Sequence, residues 1–64
     1  MEEPVARAKF LKLYANLPLG LRDEVILVLD KRGPITWNVA YVEVSNRTKL
    51  SRTILEKLSD LGVL

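Results

Sequence analysis

Sixty-four residues with ten Lys and Arg against eight Asp and Glu, a net charge of +2, describe one small domain of mildly basic balance. The chain contains no Cys and no His, which excludes disulfides, thiolate or imidazole zinc sites and the usual nucleophile–base pairs. A chain this short buries only about 60% of the surface its unfolded form exposes. Its stability must come from an apolar core or from an oligomer that shares one, and 48% hydrophobic residues makes both feasible.

Other classes fall away on size and patterning. The chain is too short to wall off a dehydrated pocket, so no enzymatic activity, cofactor or small-molecule substrate is expected. The longest apolar run, Val25–Leu29, is far below the roughly 18 residues of a membrane span. Met1-Glu2-Glu3 is acidic, unlike the cationic start of a signal peptide. The expectation is a cytoplasmic protein without a membrane segment.

In chain order, Glu2-Glu3-Pro4 opens a helix over 4–16. Pro4 loses nothing in the first turn, and the two acids meet the positive end of the dipole. Val5, Ala8 and Leu11 with the row Phe10, Tyr14 and Leu17 supply its apolar spacing. Asn16 and Pro18 end it. Its apolar surface is generous for so short a chain, which makes it a candidate dimer interface.

Leu21 to Leu29 reads as a second segment, acidic early and closed by Asp30-Lys31-Arg32-Gly33-Pro34, the punctuation of a helix end. The continuous run Val25–Leu29 does not distinguish helix from strand, and Asp30–Gly33 equally suits a hairpin loop. Ile35–Val44 also fits two templates. As a helix, Thr36 caps it and Trp37, Ala40, Tyr41 and Val44 share one face. As a strand, Ile35, Trp37, Val39 and Tyr41 alternate, but Val42 and Val44 break that pattern. The helical template is preferred, with a turn at Ser45-Asn46. Trp37 and Tyr41 are expected in the core.

A last helix is expected from Thr48 to Leu61, ending in a left-handed cap at Gly62. Leu50, Ile54, Leu58 and Leu61, with Leu55 beside them, form its apolar face. Its other face opens with cationic and small polar side chains and carries no acid before Glu56.

Taken from Leu21, the order helix, Arg32-Gly33-Pro34-Ile35-Thr36, helix, short turn, basic helix and Leu58-Ser59-Asp60-Leu61-Gly62-Val63-Leu64 resembles the helix-turn-helix core of winged-helix regulators. The chain's general flavour is similar to that of small archaeal proteins. The resemblance implies an all-α bundle, one domain over 1–64 with its helix-turn-helix core at 21–64. It also implies a transcriptional regulator that binds double-stranded DNA as a homodimer. In that reading the last helix enters the major groove. Arg52 reads a guanine through its two-pronged guanidinium. Thr48, Ser51 and Thr53 meet phosphate or a thymine methyl, and Arg47, Lys49 and Lys57 hold phosphates with Lys31 and Arg32 as auxiliaries. Two departures stand out: the expected turn glycine falls at polar Ser45 and Asn46, and the chain stops where wing strands would begin.

The competing expectation is an α+β chain, α-β-β-α, with a hairpin over 25–41. Its strand edges would seek a partner. It implies a small protein–protein or antitoxin-like module without nucleic-acid binding. Any single basic residue of the last helix is also accounted for as part of a solvated face.

Overall fold

Val25–Leu29 is a strand, and that fact reorganises the molecule. The computed structural model describes residues 2–64. It runs α1 (Glu3–Ala15), a 3₁₀ turn at Leu19–Leu21, β1 (Val25–Leu29), β2 (Gly33–Thr36), α2 (Trp37–Asn46) and α3 (Lys49–Asp60). The expected all-α bundle is therefore incorrect: the chain is a small α+β fold with a two-stranded antiparallel sheet. The α-β-β-α alternative has the hairpin in the right place, but β2 stops at Thr36, and Trp37–Tyr41 coils instead of pairing.

The physical reason lies in the loop and in burial. Leu27 and Leu29 point into the core while Val28 between them points out, the period-2 alternation of a half-buried strand. Gly33 sits at φ 78°, the left-handed residue with which short hairpin loops close. Asp30-Lys31-Arg32-Gly33-Pro34 is thus a hairpin turn using the same residue types that end helices. Leu27 faces Ile35, Val28 faces Pro34 and Leu29 faces Gly33, with a register shift between Val25 and Leu27.

Thr36 ends the hairpin and starts the next element. Its extended backbone (φ −87°, ψ 167°) belongs to β2, while its hydroxyl accepts the Val39 N–H at 3.1 Å as the N-cap of α2. The first two helical amides donate to the segment before β1, Trp37 N to Glu24 O at 3.2 Å and Asn38 N to Arg22 O at 3.0 Å. Three of the four N–H groups that a helix start leaves open are satisfied by strand-flanking backbone and one threonine.

The core is one cluster. Ala6 and Phe10 of α1 meet Leu27, Leu29 and Ile35 of the hairpin, Ala40 and Val44 of α2, and Ile54, Leu55 and Leu58 of α3. On α1 the buried row passes through Ala6 and Phe10, with Leu11 and Tyr14 partly covered, while Val5 and Ala8 are exposed. On α3 the expected stripe holds from Leu50 to Leu58, but Leu61 lies outside it at 65% exposure. Gly62, at φ 80°, closes α3 as expected, with Val63 N bonding Leu58 O and Gly62 N bonding Ser59 O at 3.0 Å each. This is a Schellman cap.

Aromatic stacking and a short polar chain tie α1 to α2. Phe10 stacks on Trp37 with centroids 5.8 Å apart, and Tyr14 stacks on Tyr41 at 4.1 Å. The Arg22 guanidinium lies over the Tyr14 ring at 4.5 Å. The Tyr14 hydroxyl donates to Asn38 Oδ1 at 2.7 Å, and Asn38 Nδ2 donates to Asp23 Oδ1 at 2.8 Å. Tyr14→Phe removes the first of these bonds and leaves Asn38 one partner short, so it should cost about 1–2 kcal/mol. Denaturant unfolding followed by Trp37 fluorescence measures it; an unchanged midpoint would remove the network from the account.

Candidate nucleic-acid interface

The nine residues singled out from the sequence separate into distinct environments. Arg47, Lys49, Arg52, Thr53, Lys57, Lys31 and Arg32 are exposed. Ser51 is not: it is 1% exposed, and its Oγ has no hydrogen-bond partner. It faces the core side of α3 and has no route to a ligand. Thr48 is half-buried and already engaged. Its hydroxyl donates to Glu43 Oε1 at 2.9 Å and accepts the Ser51 N–H at 3.2 Å, which makes it the N-cap of α3 and a tie back to α2.

The turn between α2 and α3 lies at Arg47-Thr48, two residues later than the expected Ser45-Asn46. α2 runs through Ser45 and Asn46, and Arg47 takes the left-handed conformation at φ 53°, ψ 43°. Arg47 N bonds Val44 O and Thr48 N bonds Glu43 O, both at 3.3 Å, so this turn too is a Schellman closure. A glycine would adopt that backbone without cost, whereas an L side chain costs roughly 1–2 kcal/mol there.

Around this turn the cations outnumber the acids, with Arg47, Lys49 and Arg52 near Glu3 and Glu43. The first turn of α3 contains no acid, and Arg47, Lys49 and Arg52 crowd the positive end of its dipole. Cations there are unfavourable for the helix and favourable for an incoming anion. Arg52 makes one ion pair, Nε to Glu3 Oε2 of α1 at 3.5 Å, while its side chain stays 72% exposed. A pair so exposed is worth at most about 1 kcal/mol and does not lock the guanidinium. Arg7, which local sequence pattern did not mark, joins the group from α1: its Nε donates to Val44 O at 3.2 Å. It shares a recess with Glu3 and Arg47.

The hairpin supplies the other half of the surface. Leu29, Asp30, Lys31 and Arg32 line one shallow concavity of about 330 Å³ together with Lys49, Leu50 and Thr53 of α3, so three cations share it with one carboxylate. Residues seventeen or more positions apart in sequence thus share one wall. Lys57 lies further along α3, among Glu56 and Asp60. The ridge Lys49, Thr53, Glu56, Asp60 follows the helical repeat, basic at its start and acidic at its end.

Among the described residues no group of three or more Asp or Glu is placed to hold a metal, and no helix is long and apolar enough to cross a membrane. No family model, no curated protein and no solved structure matches the chain.

Arg47→Gly should raise stability by about 0.5–1 kcal/mol, the left-handed strain relieved less the entropy that glycine loses on folding. Thermal and denaturant midpoints test this; a lower midpoint would mean that the Arg47 side chain contributes more to folding than its backbone costs.

Proposed function

We propose that the chain binds double-stranded DNA. The start of α3 approaches the major groove, and the hairpin loop lies against the adjoining backbone. The observation that carries this reading is the meeting of Lys31 and Arg32 with Lys49 and Thr53 in one concavity. Two further features support it. Cations occupy the end of α3 where they oppose folding, and a non-glycine residue fills the left-handed position of the α2–α3 turn. Local departures from folding rules of this kind concentrate where a chain serves a ligand.

In this reading Arg52 leaves Glu3 and contacts a base edge, Thr53 contacts phosphate or a thymine methyl, and Arg47, Lys49, Lys31 and Arg32 hold phosphates. Thr48 and Ser51 act on the helix alone, one as cap and one as buried filler. Glu56 and Asp60 repel phosphate, so only the first turns of α3 approach the duplex. A role as transcriptional regulator follows if that contact reads sequence.

Fluorescence anisotropy on a labelled duplex across a salt series tests the proposal. Affinity should fall as salt rises, and Lys31→Ala with Arg32→Ala should flatten the log–log slope by about two. Arg52→Ala should weaken binding to a selected sequence by about 1–3 kcal/mol and relax one position. Equal affinity of the wild type and Arg52→Ala for every duplex in a random pool would remove base reading. No binding even at low salt would remove the proposal. That result would favour the second reading, a protein-binding module, for which the specific observation is the apolar surface of Val25, Val28, Val39 and Val42, each 44% exposed or more.

A further inference from the structure

The two outer edges of the hairpin are chemically unequal. Val28 stands opposite Pro34, and proline has no N–H to exchange. This is therefore a non-hydrogen-bonded pair, set between the bonded pairs Leu27–Ile35 and Leu29–Gly33. The N–H and C=O of Val28 consequently point away from β2. At the opposite edge the outward position belongs to Pro34, which offers no donor and discourages a further strand. The sheet is closed on the β2 side and open on the β1 side.

β1 has little of what usually protects such an edge. It contains no charge and no proline, and Val28 is 69% exposed. Among the described residues no backbone hydrogen bond from outside the hairpin reaches Val28. The register shift between Val25 and Leu27 leaves Leu27–Leu29 as the regular stretch, so an added strand would be centred on Val28.

The charges at the two ends of β1 select the occupant. Asp23-Glu24 precede the strand, and Lys31-Arg32 follow it after Asp30. Two copies aligned antiparallel about Val28 set the acids of each near the basic loop of the other, at both ends at once. A parallel alignment would set like against like. Antiparallel self-pairing also closes on itself about a two-fold axis. We propose that a second copy of this chain pairs along the β1 edge about Val28, joining two hairpins into a four-stranded antiparallel sheet. This places the dimer contact on β1 instead of α1, and it does not depend on DNA binding.

Sedimentation velocity over a concentration series reads the assembly. The wild type should move from one to two chain masses and no further. Val28→Pro removes the outward donor without touching a bond inside the hairpin, and Val28→Lys puts a charge at the axis. Both should stay monomeric at concentrations where Val42→Lys, an equal change on the outer face of α2, still dimerises. Amide exchange of the unmodified chain covers the case in which a Val28 variant fails to fold. Raising the protein concentration about a hundredfold through the dimerisation range should slow exchange at Val28 several-fold, up to the roughly tenfold limit that the square-root mass action of a dimer sets, while Val42 exchange stays constant. A monomer at every concentration, open-ended oligomers, or a dimer broken by Val42→Lys and not by the Val28 changes would overturn the proposal. So would Val28 exchange that is independent of concentration.

Discussion

Thr36 is the point on which the molecule turns. It is the last residue of the hairpin and the cap of α2, its hydroxyl holding the Val39 amide while Glu24 and Arg22 carbonyls hold the two amides before it. Through those three bonds the direction of α2 is fixed by the hairpin and the segment leading into it. α3 then follows from α2 across a two-residue turn that Arg47 and Thr48 close. The position of every cation at the start of α3 relative to Lys31 and Arg32 descends from that junction. Without it the hairpin loop and α3 would be two unrelated basic segments.

Folding and the proposed binding make opposite demands on the α2–α3 turn. Stability alone would place glycine at the left-handed residue and acids in the first turn of α3. The chain has Arg47 at the first and Lys49 and Arg52 near the second. Thr48 offsets part of this by capping α3 and bonding Glu43 together, and Glu3 partly neutralises Arg52 from α1. Ser51 adds a further cost, since it is buried with its hydroxyl unpaired. A domain of this size has few residues to spare, and several serve two elements at once.

Much of the helical part was legible in the sequence, because its signals are local. Thr36 as a cap, Trp37–Val44 as a helix, Thr48 at the start of the last helix and Gly62 at its end each rest on residues within four positions of one another. The hairpin was legible only as an alternative to a helix, for two reasons. Val25–Leu29 is apolar throughout, so its period is invisible until inward and outward neighbours are known. Asp30–Pro34 also carries acid, base, glycine and proline in an order that ends a helix as readily as it turns a strand. Of the candidate site, the exposed cations were legible from the helical repeat. The burial of Ser51, the engagement of Thr48 and the arrival of Arg7 and Glu3 from α1 were not, since each depends on contacts between segments far apart in the chain.

The central claim is that strand gives way to helix at Thr36, with β1 paired to β2 before it. Backbone chemical shifts with cross-strand nuclear Overhauser contacts over Leu21–Asn46 measure this directly. Extended shifts are expected at Val25–Leu29 and Gly33–Thr36, with a Leu27–Ile35 cross-strand contact and helical shifts beginning at Trp37. Helical shifts through Val25–Leu29, or extended shifts continuing through Tyr41, would contradict the claim.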